Sequence, residues 1–172
     1  LTPRPLIFQV CISLLGTWDG EGSELWGPGS TLLQVLLSIQ GLILTKDPYY
    51  NEPGNEKHRG SADAAEAART YNEMALIKTV QSMRRIVESP PRDFRDRVES
   101  YFKGFANVML PRLEKFASNE APTTEFPIAP TSRGFRLAFA KAVQQFKDTL
   151  SGKGYLDISS EAASTAPSSS QD

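Results

Sequence analysis

The chain is poor in the residues that staple small extracellular domains and in those that grip metals. Cys11 is the only cysteine and His58 the only histidine among 172 residues. One thiol cannot close an internal disulfide, and one Cys with one His cannot build a zinc cluster. No metal is expected, and the expected compartment is a reducing one. An excess of either charge is lacking too, since 19 Lys and Arg face 20 Asp and Glu for a net charge of −1. Polynucleotide-binding surfaces draw on a basic excess, so nucleic acid is not an expected partner. The longest apolar stretch, residues 32–44, is interrupted by Gln34, Ser38, Gln40 and Gly41. It is too short to cross a bilayer and reads as a core helix, so no membrane partner is expected either. No charged n-region with an apolar run and a small-residue cleavage site is present. The chain opens at Leu1 rather than Met, and the expectation is a piece of something longer or a gene model with a misplaced start.

What is present suits one globular domain plus some unpacked chain, with 40% apolar and 23% charged residues. Pro3 and Pro5 keep the first residues extended and unpaired. Residues 6–15 are almost continuously apolar and rich in β-branched and aromatic side chains, which predicts a strand running into a turn around Cys11. A thiol at such a junction is either a partly exposed nucleophile or a buried structural cysteine. Residues 16–29 hold five glycines with Trp18, Trp26 and Pro28, a long loop whose indoles are expected to anchor it to the core. Ser30 is placed to cap a helix over 31–44 that is apolar on nearly every side and therefore needs covering.

Residues 46–60 read as loop, with Tyr49 and Tyr50 as packing contacts. Asp63 is placed to cap a long helix with Leu76, Val80, Met83 and Val87 on one face, ending at Ser89-Pro90-Pro91. Ser89 is placed to cap the next, where Phe94, Val98, Tyr101, Phe105, Val108 and Phe116 form the expected core stripe and Gly104 and Pro111 predict a kink or two pieces. A polar linker over 118–132 leads to an amphipathic helix marked by Phe135, Phe139, Val143, Phe146 and Leu150, whose stripe needs a groove here or on a partner. The Ser/Ala-rich tail within 152–172 has too little apolar content to fold.

Five stretches, in order, resemble the ubiquitin-conjugating enzymes, and among them the large and hybrid conjugating-ligase members. They are Val10-Cys11-Ile12-Ser13-Leu14-Leu15-Gly16-Thr17-Trp18, Trp26-Gly27-Pro28-Gly29-Ser30, Leu32-Leu33-Gln34-Val35-Leu36-Leu37-Ser38-Ile39-Gln40, Pro48-Tyr49-Tyr50-Asn51-Glu52-Pro53-Gly54 and Tyr71-Asn72-Glu73-Met74-Ala75-Leu76-Ile77. The resemblance runs from Val10 to about Phe116 and implies an α+β fold of an N-terminal helix, a four-stranded meander, the active-site cysteine, a central helix and two C-terminal helices. Only the latter half of that plan is represented. The expectation is a mostly helical chain with at most a remnant of the meander before the cysteine. Residues 1–117 are then the C-terminal part of a conjugating-type core, 118–132 a linker, 133–151 an added helix and 152–172 a disordered tail.

The chemistry the resemblance implies is acyl transfer on a thiol, without a cofactor, in the cytoplasm or nucleus. Cys11 carries ubiquitin as a thioester accepted from the ATP-dependent activating enzyme, and a substrate lysine then attacks it. Asn51 or Glu52 is the implied lysine-orienting residue, with turn-making beside Pro53-Gly54 as the alternative. Trp26 and Pro28 match the loop offered to ubiquitin ligases, or serve only as a helix-entry turn. Leu37 and Gly41 lie where the central helix can meet donor ubiquitin, with core packing as the other role for Leu37. The chain departs from the pattern at Pro3, eight residues before Cys11, where the family places an oxyanion-assisting asparagine. Loss of one oxyanion donor costs roughly 10²–10³ in rate. Without the first half of the domain, the chain alone is expected to fold poorly and to be inactive. A different class of role is a non-catalytic ubiquitin- or partner-binding remnant in which Cys11 only packs, and a third is a plain helical interaction module. His58, among Asn55, Glu56, Lys57 and Arg59, reads as a solvated surface residue rather than half of a Cys/His pair. Arg84-Arg85 and the arginines of 92–97 are interspersed with acids and read as a solvated helix face.

Overall fold

A computed structural model describes residues 12–17, 19–118 and 131–156. The described chain is mostly helical and contains no strand, in keeping with the helical half of the conjugating-type plan. Four α-helices carry it: α1 Leu32–Ser38, α2 Ala62–Glu88, α3 Arg95–Ala117 and α4 Arg133–Gly152. Among the described residues no helix is long and apolar enough to cross a membrane. The chain divides into two compact units, Leu1–Ala68 and Arg69–Asp172.

In the first unit the strand expected to end near Cys11 falls outside the described residues, and what can be judged is the turn after it. Ser13–Leu15 is one turn of 3-10 helix, closed by Gly16 at φ 65, and the residues before Ile12 lie outside the described ones. The left-handed conformation at Gly16 suits a residue without a Cβ and turns the chain instead of extending it. Helix α1 is capped by Thr31 rather than Ser30. The Thr31 hydroxyl accepts from the Gln34 N–H at 3.3 Å, and Gln34 Oε1 accepts from the Thr31 N–H at 2.6 Å, a reciprocal capping box. Ser30 instead closes the turn before it, where its Oγ accepts from the Gly27 N–H at 2.9 Å. Past Ser38 the helix widens into a π turn, Ile39–Ile43, with the Leu44 N–H reaching Ile39 O.

The expected all-round burial of this helix is not met by any described element. Ile12, Leu14 and Val35 form a small cluster with Ile39 and Ile43. Val35 is 6% exposed, whereas Leu32, Leu33, Leu36, Leu37, Leu42 and Leu44 are exposed, from 55% at Leu37 to 72% at Leu44.

The second unit has a conventional core. The later part of α2 contributes Val80 and Val87, α3 contributes Phe102, Ala106, Leu110, Leu113 and Phe116, and α4 contributes Phe135, Phe139, Ala142, Val143, Phe146 and Leu150. All five residues that mark the last amphipathic helix are buried within this unit, so its stripe is met by α2 and α3. The rings interlock: Phe116 meets Phe139 edge-on at 5.5 Å, Phe102 meets Phe146 at 6.0 Å, and Phe135 stacks on Phe139 at 5.2 Å. Such geometries suit the positive edge and negative face of aromatic rings. Ser132 caps α4, accepting from the Phe135 N–H at 3.1 Å. It is held by Glu73, whose Oε1 accepts from the Ser132 N–H at 2.6 Å and whose Oε2 accepts from the hydroxyl at 2.8 Å. Arg69 pairs with the same carboxylate at 2.6 Å, which lets a side chain only 7% exposed keep its charge contacts. Gly154 at φ 68 ends α4, and the Tyr155 N–H bonds back to Leu150 O, the left-handed termination that turns Tyr155 toward the core.

Three local expectations are corrected. Ser61, not Asp63, caps α2, accepting from the Ala64 N–H at 3.2 Å. Ser89 does not cap α3, which is entered through a 3-10 turn at Arg92–Phe94. Helix α3 runs unbroken through Gly104 and Pro111. Pro111 is exposed, and a proline on the solvent side of a helix leaves its unmatched carbonyl within reach of water.

Candidate functional site

Cys11 and Trp18 lie outside the described residues, so the site is built from the residues next to the thiol on its C-terminal side. Ile12, its immediate neighbour, is buried and held by Thr17 from both sides: its N–H donates to Thr17 Oγ1 at 3.0 Å, and the Thr17 hydroxyl donates to Ile12 O at 3.2 Å. Backbone bonds from Leu15 to Ile12 and from Gly16 to Ser13 tighten the same turn. Gly20 crosses it closely. A Cβ there would stand 2.4 Å from the Ser13 Cβ, so only glycine lets the loop pass. The backbone after Cys11 is therefore fixed by a buried side chain, a hydroxyl staple and a packed glycine. Sequence reading missed Thr17 as a site element, since a threonine in a glycine-bearing loop carries no signal of which carbonyl it will seek.

The loop after α1 is equally ordered. Asn51 Nδ2 donates to Leu42 O at 2.9 Å and to Ile43 O at 3.4 Å, closing carbonyls that the π turn leaves open. Asn55 Nδ2 donates to Tyr49 O at 3.0 Å. Tyr49 and Tyr50 meet edge-on at 5.2 Å, and the Arg59 guanidinium lies 4.0 Å above the Tyr50 ring. The Asn51 amide is thus already engaged with backbone. The Glu52 carboxylate is exposed, while its carbonyl accepts from the Asn55 N–H at 3.2 Å.

The other candidate positions are exposed. Gly41 sits in the π turn with open space where a Cβ would go. Core packing for Leu37 is not seen, because its side of α1 faces away from Ile12 and Leu14. Pro28 projects from the Gly27–Ser30 turn. Trp26 is 55% exposed rather than anchored in the core. The structure thus brings Asn51 onto the end of the helix that carries Leu37 and Gly41. His58 is exposed in a 3-10 turn, as expected of a solvated residue. Among the described residues no group of three His, Cys, Asp or Glu is arranged to hold a metal.

Set beside known proteins, the chain matches no family model. It is 41% identical over 115 residues to probable ubiquitin-conjugating enzyme E2 25 of Arabidopsis thaliana, covering 66% of this chain and 19% of that one. It is 32% identical over 157 residues to probable ubiquitin-conjugating enzyme E2 23 of the same plant, covering 85% and 14%. It is 37% identical over 114 residues to the mouse dual E2 ubiquitin-conjugating enzyme/E3 ubiquitin-protein ligase BIRC6, covering 65% and 2%. The chain spans less than a fifth of the length of these curated relatives.

Proposed function

The chain belongs to the ubiquitin-conjugating enzyme family, and from that footing we propose that it supplies the C-terminal, cysteine-bearing part of a conjugating domain. Cys11 carries ubiquitin as a thioester there and passes it to substrate lysines. The one observation that supports this most is the fixed turn after the only cysteine, Ile12 to Thr17, packed on helix α1. A nucleophile that must meet two large proteins in succession gains from a backbone that does not need ordering each time.

In this scheme the Cys11 thiolate attacks the C-terminal carbonyl of ubiquitin on the activating enzyme's thioester, and that enzyme's thiolate leaves. A neutral lysine amine then attacks the new thioester, the Cys11 thiolate leaves, and an isopeptide bond and a proton result. Glu52, whose carboxylate is free of the backbone bonds that occupy Asn51, orients the lysine, while Asn51 holds the loop in place. Trp26 and Pro28 face ligases, and Leu37 and Gly41 face donor ubiquitin. The work is done in the cytoplasm or nucleus. Residues 1–117 act as the core, 118–132 as linker and 133–151 as an added helix, with 152–172 a tail outside the fold. The leucines exposed on α1 support a dependence on further residues of a longer protein, without which this chain is inactive.

The test is a charging reaction with activating enzyme, ATP and ubiquitin, run on this chain and on the longer protein encoded with it. A reductant-sensitive adduct is expected from the longer protein and not from this chain, and it is lost in Cys11→Ala. A folded longer protein that forms no adduct overturns the transferase role. The second reading, a ubiquitin- or partner-binding remnant, is favoured by Pro3, which offers no side-chain donor at the asparagine position.

A further inference from the structure

Between α2 and α3 lies a stretch that neither the core nor the transferase role uses. Helix α2 ends at Glu88, the turn Ser89-Pro90-Pro91-Arg92 follows, and a 3-10 turn over Arg92–Phe94 leads into α3. Ser89, Pro91 and Arg92 are exposed. Pro91 has φ −55 and ψ 138, an extended polyproline-type conformation, and a residue that precedes proline is itself pushed away from the helical region. The chain that follows the Ser89 hydroxyl is therefore stiff, extended and open to solvent. On the other side the Ser89 N–H donates to Arg85 O at 2.9 Å, the last rung of α2, and terminal rungs open at little cost. A hydroxyl residue directly before proline occurs at Thr2-Pro3 and at Ser89-Pro90. The third position after Ser89 is basic, Arg92, whereas the third after Thr2 is Pro5.

A protein kinase takes its acceptor segment in extended form. Where the kinase surface offers no partner to the amide after the acceptor, proline fits best, because it has no N–H to leave stranded. An acidic pocket further along then selects a guanidinium such as that of Arg92. We propose that Ser89 is the phosphoacceptor of a proline-directed protein kinase, with Pro90 and Arg92 as the residues the kinase reads. In the transfer the Ser89 Oγ attacks the γ-phosphorus of ATP and the bond from that phosphorus to the β–γ bridging oxygen breaks. ADP leaves, and the hydroxyl proton passes to the kinase's catalytic carboxylate. The new dianion opposes the dipole at the end of α2, and two exposed arginines offset it, Arg85 one helical turn before and Arg92 three residues after. Its neighbour in sequence, Glu88, is already engaged by Arg84 at 3.4 Å and by the Thr149 hydroxyl at 3.3 Å. The acids that follow, Asp93 and Asp96, alternate with Arg95 and Arg97. The site is independent of Cys11 chemistry and adds a regulatory input to which the transferase role makes no reference.

The test incubates the full 172-residue chain with ATP, magnesium and a purified proline-directed kinase that prefers a basic residue at the third position after the acceptor, and maps the phosphate by mass spectrometry. The phosphate should sit on Ser89 and be absent from Ser89→Ala, an exposed change that leaves helix content as it was. Pro90→Ala and Arg92→Gln should each slow incorporation by about tenfold, again with helix content unchanged. The phosphorylated chain should keep its helix content as well, since the arginines beside the turn offset the added charge. No incorporation, phosphate carried only on Thr2 or on serines of the tail, a rate indifferent to both Pro90→Ala and Arg92→Gln, or loss of helix content on phosphorylation would each overturn the proposal.

Discussion

Among the described residues, the second unit buries apolar side chains from all three of its helices in one cluster, from Val80 to Leu150, while the first gathers Ile12, Leu14 and Val35 and leaves six leucines of residues 32–44 in water. Both are rich in apolar sequence, and the difference lies in whether a covering element is at hand. Helix α4 brings four-residue and three-residue spacings that fit the grooves of α2 and α3, so each side chain meets several others. Helix α1 is apolar on every side, and no described element meets most of it. Burying a leucine is worth roughly 1.5–3 kcal/mol. A chain that leaves several exposed has a strong tendency to take cover from elsewhere, whether from more of its own protein or from a partner.

The largest expected effect falls on the interlocked rings. Phe139→Ala removes a ring that is 0% exposed and should cost about 3–5 kcal/mol in urea unfolding followed by helical circular dichroism. Leu36→Ser on α1 should change the same transition by less than about 0.5 kcal/mol. Equal costs would erase the distinction between the units. Next comes the clamp on α4. Glu73→Gln weakens the hold on Ser132 and leaves Arg69 without its carboxylate, at an expected cost of about 1–3 kcal/mol in the same experiment. In the first unit, Asn51→Ala frees the Leu42 and Ile43 carbonyls. It should speed exchange of the Leu44 amide by roughly three- to tenfold, corresponding to about 1 kcal/mol.

The smallest effect is a pH dependence on α3. A hydrogen bond and the positive charge of Lys103, 2.7 Å away, hold the Glu99 carboxyl below its ordinary range, and Glu99 raises the Lys103 ammonium in the same way. The stabilisation exists while both are charged. It is lost on the acid side as pH falls through the lowered Glu99 pKa, and on the basic side as pH rises through the raised Lys103 pKa. Both groups are exposed, so the change in stability should be slight. The direct check is an NMR titration in which Lys103→Gln returns Glu99 upward toward the ordinary carboxylate range.

Helices with a single apolar face were legible in the sequence. The α4 stripe and the α2 face through Val80 and Val87 are buried where the 3.6-residue period puts them. Helix α3 was read only partly on the right side: Phe116 lies in the core and Val98 packs against it, but Phe94, Tyr101 and Val108 are exposed. Phe94, Tyr101 and Val108 satisfy the same period as Phe102, Ala106 and Leu113, and periodicity cannot say which of two apolar stripes meets the core. Caps were misplaced by one or two residues at α1 and α2, because adjacent hydroxyl and carboxylate residues at Ser30-Thr31 and at Ser61-Ala62-Asp63 are all competent acceptors and the backbone path selects among them. Of the candidate site, the loop chemistry of Asn51 was visible from its Pro-Gly neighbourhood. The Thr17 staple was not, since it joins side chain to backbone five residues away.

Hydrogen exchange read by mass spectrometry on the intact 172-residue chain tests most directly whether the first unit lacks a cover that the second possesses. Amides of α4 should stay protected for a time set by unfolding of the second unit, while those of residues 32–44 should exchange orders of magnitude faster. Protection of residues 32–44 equal to that of α4 would contradict the account, because it would mean that the exposed leucines already have their partners.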